Sequence, residues 1–141
     1  MARHMTWDLD VQDPTTLDSK KRAVDLMLDM LGLAGMKVLA GPYAINTGAY
    51  DPNPGVTGWT ILTTSHVSIH TFLRQGKVFI DLFSCKDYDP DPISEAINRH
   101  YSPKRLQVVE VARAAMDLFQ EEEDVAHITY RAPAPSTGER T

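Results

Sequence analysis

A chain of 141 residues with 43% hydrophobic and 23% charged content has the mass and apolar fraction for one soluble globular domain with a proper core. Its net charge of -5 argues against nucleic acid or an anionic membrane as partner, since both select basic patches. No apolar run approaches the roughly 18 residues of a membrane span, the N-terminus lacks a signal-peptide core, and the single cysteine, Cys85, leaves no internal disulfide, so a reducing cytoplasm is expected.

In chain order, Met5–Val11 alternates and predicts a short strand. Asp13-Pro14-Thr15-Thr16 leads into a helix. Ala23, Leu26, Met27, Met30 and Leu31 make its single apolar stripe, Asp18 is placed to cap it, and Gly32 or Gly35 to end it. Met36–Ile45 predicts a second strand, with Gly41-Pro42 marking a bend or a sheet edge, and residues 46–56 a turn-rich loop. Thr57–Thr64, Ser65–Phe72 and Lys77–Ser84 predict three more strands, with Arg74-Gln75-Gly76 as a hairpin turn. Pro92 suits the first position of a helix that turns Ile93, Ala96, Ile97 and Tyr101 inward; Ser102-Pro103 stops it before a strand at Leu106–Val111. Beyond Val111 the pattern weakens to a helix over 112–120, a strand over 125–131 and a disordered tail from Ala132. The order β-α-β-β-β-β-α-β predicts an α+β fold, with helices on one face of a mostly antiparallel sheet. Residues 1–111 form the domain and 112–141 an extension.

The chemistry concentrates in residues 63–72. On a strand, His66, Ser68 and His70 share one face, and Val67, Ile69 and Thr71 the other. A sheet that buries one side has no packing need for imidazoles and hydroxyls on its second. His66 and His70 have the H-x-x-x-H spacing of a helical metal site. On a strand, at about 3.3 Å per residue, they stand ~13 Å apart and cannot share an ion, so no metal is expected. Taken singly, Cys85 reads as a buried small hydrophobe, and Ser65 carries no nucleophile-elbow motif.

Taken together, these residues resemble the prokaryotic S-adenosylmethionine decarboxylases, pyruvoyl enzymes made as proenzymes. The family signature is Gly-Val-Ser, a short apolar strand, Glu-Ser-His-Leu-Thr-Ile-His-Thr-Trp, then Asp-Val-Phe-Thr-Cys. This chain has Gly55-Val56-Thr57, a strand of equal length, Ser65-His66-Val67-Ser68-Ile69-His70-Thr71-Phe72, then Asp81-Leu82-Phe83-Ser84-Cys85, without a gap. The opening Arg3-His4 with Asp8-Leu9, and Ser102-Pro103-Lys104-Arg105 before the last strand, extend the resemblance to residues 3–111.

The resemblance implies that the Ser65 hydroxyl attacks the Thr64 carbonyl, that β-elimination frees residues 1–64, and that Ser65 becomes a covalent pyruvoyl group. His70 carries over as the base of that elimination, and Thr57 stands where the family has a processing serine. In turnover the pyruvoyl ketone forms a Schiff base with the substrate amine, CO₂ leaves, and Cys85 returns a proton, which a thiol of pKa ~8.5 holds at neutral pH. The implied architecture is a two-layer α/β sandwich pairing as a dimer, each protomer contributing to both active sites.

The departures fall on the substrate pocket. Thr64 replaces a Glu before the serine, and Phe72 replaces a Trp expected to stack on adenine. Leu73-Arg74 replaces a Pro-Glu whose carboxylate accepts from the ribose hydroxyls, a bond that Arg cannot make. Tyr50 is the nearest counterpart of a second adenine-stacking Phe. Phe72, Arg74, Tyr50 and Asp51 are thus the substrate-binding candidates. Three readings stand: a pyruvoyl-dependent S-adenosylmethionine decarboxylase serving spermidine synthesis; a pyruvoyl-dependent arginine or ornithine decarboxylase, with Asp51 or Asp81 meeting the distal cation; and an unprocessed regulatory homologue.

Overall fold

The computed structural model describes residues 2–113. Six strands, β1 (Arg3–Val11), β2 (Val38–Asn46), β3 (Val56–Leu62), β4 (His66–Phe72), β5 (Lys77–Ser84) and β6 (Pro103–Val111), form one sheet in the order β2-β3-β4-β5-β1-β6. Every neighbouring pair is antiparallel. Two helices, α1 (Lys20–Ala34) and α2 (Pro90–Tyr101), pack on each other; α1 lies on β2 and β3, α2 on β1. The expected α+β order stands, with a 3₁₀ turn, Pro14–Asp18, added before α1.

Alternation places the core. Trp7, Leu9, Val67, Ile69, Ile80 and Leu82 point to the helices and are buried, meeting Leu26, Met27 and Met30 of α1 and Ile93 and Ile97 of α2. Each such side chain contributes on the order of 1.5–3 kcal/mol. The Trp7 indole N–H donates to Ser94 Oγ at 2.8 Å, so its polar edge is satisfied where β1 meets α2. Close packing also explains Gly55 and Gly58. A Cβ on Gly55 would lie 1.9 Å from the Thr71 carbonyl oxygen, and one on Gly58 2.8 Å from Ile69. Thr71, the one polar residue on the inner face of β4, is buried but satisfied. Its hydroxyl donates to the Leu17 carbonyl at 2.5 Å and accepts from Val56 N–H at 2.8 Å.

Several boundaries move. Ser19, not Asp18, caps α1 by accepting from Arg22 N–H at 3.1 Å, because Asp18 is taken up by the 3₁₀ turn. Gly35 ends α1 with φ at 66°, leaving Gly32 inside the helix. Asp89 caps α2, so Pro90 rather than Pro92 fills its first turn position. β3 and β4 stop and start short of the expected Thr64 and Ser65, which fall in the turn between them. Gly41-Pro42 sits on edge strand β2, where the register with β3 shifts. The helix expected at 112–120 begins at Ala112 and Arg113, which belong to no regular element, and its remainder, the strand at 125–131 and the tail lie beyond the described residues.

Candidate active site

The turn joining β3 to β4 is closed by Leu62 N–H donating to the Ser65 carbonyl at 2.9 Å. Because His66 pairs with Phe83, the residue just past the end of β5 arrives beside this turn, and that residue is Cys85. Its backbone N–H donates to Ser65 Oγ at 3.3 Å, and its thiol donates to the Thr64 carbonyl oxygen at 3.1 Å. One residue thus holds both the hydroxyl and the carbonyl of the Thr64–Ser65 linkage. Cys85 is an exposed free thiol, not the core residue that its composition class suggests. A cavity of about 210 Å³ opens at this linkage, with Thr64, Ser65, Lys37 and Lys86 in its wall.

A second group forms five residues further along β4. Thr57 faces His70 across the β3–β4 pair, with Thr57 Oγ1 and His70 Nδ1 3.0 Å apart. With Nδ1 unprotonated the hydroxyl donates and Nε2–H is left facing outward; in the other tautomer Nδ1–H donates to the hydroxyl and Nε2 is free to take a proton. His70 and Thr57 line a cavity of about 370 Å³ together with Tyr50, Asp51 and Phe72. Tyr50 is 84% exposed, and Phe72 is held edge-on by Phe79 at 5.6 Å between centroids. Asp51 Oδ1 accepts from Asn53 N–H at 2.7 Å, which fixes the carboxylate in the loop before β3. Arg74 is exposed and does not line this cavity, whereas Asp51 does.

The four residues grouped by sequence as catalytic therefore occur as two pairs. Ser65 and His70 are five extended residues apart, about 16 Å, more than their side chains can span. Both pairs border the sheet face that the helices leave open. Strand register arranges that face in rows. Val111, His4, Phe83, His66 and Ile61 form the row nearest Ser65; Gln107, Asp8, Phe79, His70 and Thr57 form the row at the second cavity. Trp59, Ile61 and Phe79 on this face are 36–40% exposed. His66 lies against Phe83 at 5.6 Å, and His4 Nε2 meets Asp81 Oδ2 at 3.1 Å. Asp81 is thus paired by His4 and lies outside the second cavity. Sequence reading passed over His4, Phe83, Lys37 and Lys86 as site neighbours; the register of β1 and β5 brings in the first two, and no motif marked the lysines. Among the described residues no three His, Cys, Asp or Glu side chains gather in a metal-binding group. Nor is any described helix long and apolar enough to cross a membrane.

The sequence model of the S-adenosylmethionine decarboxylase family matches residues 3–114. The S-adenosylmethionine decarboxylase proenzyme of Methanococcus aeolicus is 26% identical over 117 residues, covering 82% of this chain and 96% of that protein. The proenzyme of the same name from Thermotoga petrophila is 38% identical over 74 residues, covering 52% and 57%. In three dimensions the adenosylmethionine decarboxylase of Aquifex aeolicus superposes with a TM-score of 0.67 at 22% identity, over 86% of this chain and 98% of the other. This chain belongs to the S-adenosylmethionine decarboxylase family.

Proposed function

We propose that the protein is a proenzyme that cleaves itself between Thr64 and Ser65 and, with the pyruvoyl group so formed from Ser65, decarboxylates S-adenosylmethionine, supplying the aminopropyl donor for spermidine synthesis. The observation that carries this reading is the double grip of Cys85. Its thiol hydrogen bond draws electrons from the Thr64 carbonyl, making the carbon a better electrophile, while its N–H keeps Ser65 Oγ next to that carbon. An exposed turn gives the bond room to rearrange. The residues fit a pyruvoyl group: Ser65 supplies the serine from which it forms, and the Cys85 thiol stands beside it. Once formed, that group supplies an electron-withdrawing ketone that takes the substrate's α-amine and accepts the electrons released with CO₂. Cys85 then delivers a proton to the carbon that lost its carboxylate.

The second cavity is the recognition half. Phe72 and Tyr50 offer aromatic faces for the adenine, and Asp51 a carboxylate able to accept from the ribose hydroxyls, a role that exposed Arg74 does not take. His70, set by Thr57, is the base for the elimination step. Because these residues stand about 16 Å from Ser65 in one protomer, the working site combines the Ser65–Cys85 end of one copy with the His70–Thr57 end of a second. The open sheet face, with Trp59, Ile61 and Phe79 exposed, is the surface the two copies share, and the assembly is a homodimer. The domain ends near Val111, the remainder is an extension, and the enzyme works in the cytoplasm.

Release of labelled CO₂ from S-adenosylmethionine, arginine and ornithine, measured side by side, tests the substrate. Turnover of S-adenosylmethionine alone is expected. Release confined to either amino acid would overturn the substrate assignment and keep the cleavage chemistry.

A further inference from the structure

Positive charge gathers at the Thr64–Ser65 bond. Of the residues that line its cavity, Lys37, just before β2, and Lys86, just after Cys85, are cationic and none is a carboxylate. In a chain of net charge -5 this is a local reversal. Neither lysine is in an ion pair among the described residues, and the nearby acids have other partners: Asp89 caps α2 by accepting from Asp91 N–H at 3.0 Å. Asp87 is bound by Arg3 at 2.8 Å, and Asp81 by His4 at 3.1 Å. Arg3 also holds the Asp87 carboxyl below the usual carboxylate range.

An intact peptide bond is neutral and gives two lysines nothing to neutralise. The products of self-cleavage are different. We propose that Lys37 and Lys86 form a dock for the carboxylate that appears on Thr64 when the chain is cut, and that they accelerate the step that creates it. This rests on the self-cleavage reading above. In the first step Ser65 Oγ bonds to the Thr64 carbonyl carbon and the C–N bond breaks; the Ser65 nitrogen takes the hydroxyl proton, leaving an ester and a free amine. In the second, a base removes the Ser65 Cα proton, the Cα–Cβ double bond forms, and the Cβ–Oγ bond breaks. The departing oxygen keeps the bonding electrons, so residues 1–64 end in a carboxylate. Water then replaces the nitrogen, released as ammonia, and leaves the ketone. In the first step the Thr64 oxygen is negative only in passing, at the tetrahedral stage, where the Cys85 thiol meets it; a lasting carboxylate develops only in the second step, inside the cavity that the lysines line. Cations bordering that cavity favour the transition state over the neutral ester. Thr64 itself adds no side-chain charge to compete with the new carboxylate.

The test is a time course of cleavage in newly synthesised full-length chain, quenched with hydroxylamine. Hydroxylamine captures the ester as a hydroxamate on Thr64, and mass spectrometry separates that product from the carboxylate. Lys37→Ala/Lys86→Ala is expected to slow carboxylate formation about tenfold and to build up hydroxylamine-trappable ester, while Lys37→Arg/Lys86→Arg stays within about twofold of the natural chain. Lys86→Ala alone should show the same pattern at about threefold, which keeps the test open if the double variant does not fold. Cleavage of the alanine variants at the natural rate would overturn the dock. So would slowing without trapped ester, which places the lysines' effect before the elimination that creates the carboxylate. A natural chain that never cuts would instead remove the self-cleavage reading on which the dock depends.

Discussion

The two ends of the open sheet face are built differently. At the Ser65 end the reactive atoms are held by backbone and by one short side chain. The Cys85 N–H and thiol hold the hydroxyl and carbonyl of an exposed turn, and the surrounding charge is positive. At the His70 end the reactive imidazole sits on a regular strand, but the pocket around it comes from the loop of residues 47–55, with Tyr50 almost wholly exposed and Asp51 contributing negative charge. The first end suits the bond to be cut, where nothing has to be recognised, and in the proposed chemistry it draws only its base, His70, from the second. The second suits a ligand that arrives from solvent with a ring and hydroxyls to be read. In the proposed dimer each site takes the Ser65 end from one copy and the His70 end from the other, which spans the separation of about 16 Å within a copy.

Complementation breaks this comparison most sharply. Ser65→Ala and His70→Ala should each abolish decarboxylation alone. Coexpressed, they should regain up to about half of the natural rate per mixed dimer, since one of its two sites draws Ser65 and His70 from intact copies. No recovery, with mixed dimers demonstrated by mass, would mean that the two ends do not meet across the sheet. Next in size is Gly55→Ala, whose Cβ would collide with the Thr71 carbonyl oxygen beneath the recognition loop. A loss of about 3 kcal/mol in urea unfolding is expected, with the recognition end disturbed more than the Ser65 turn. Asp51→Asn should raise the KM for S-adenosylmethionine about tenfold and leave self-cleavage at its natural rate, since its carboxylate reads the ligand and touches neither Ser65 nor His70. An equal loss in both would show that the loop supports the whole fold rather than the pocket.

The smallest effect concerns Asp10, held by Lys77 and by Arg105 at the far end of the same face. The lysine first, then the arginine, holds its carboxyl below the usual carboxylate range. A lowered folded-state pKa contributes stability above about pH 4, where the unfolded carboxyl is also ionised, and that contribution is lost as pH falls through the folded value. Asp10→Asn should therefore be less stable than the natural chain at pH 7, the gap closing towards pH 3. Thermal melts at both pH values check it.

Much of this was legible in the sequence where one local signal acted alone. Lys77–Ser84 was expected and found at the same bounds, because a run of β-branched and aromatic residues admits one reading. The inward stripe of α2 was also correct. Boundaries moved where two signals competed. Asp18 and Ser19 are both good caps, and only the 3₁₀ turn decides between them; Pro90 and Pro92 both suit a helix start, and Asp89 decides. The site was legible as a set of residues and not as an arrangement. The strand arithmetic that keeps His66 and His70 from sharing an ion also keeps Ser65 from His70, and their short separation in the chain conceals it. Lys37 and Lys86 left no trace in the pattern, because they reach the cleavage turn only through packing of the segments after α1 and β5.

The central claim is that the Thr64–Ser65 bond yields to its own neighbouring hydroxyl, and intact-mass analysis of the purified protein beside its Ser65→Ala variant tests it most directly. The account predicts two chains of 64 and 77 residues from the natural sequence, the longer one blocked at its N-terminus by a ketone that borohydride reduces, and a single whole chain from the variant. One uncut mass with an ordinary serine, in protein that releases CO₂ from S-adenosylmethionine, would contradict it.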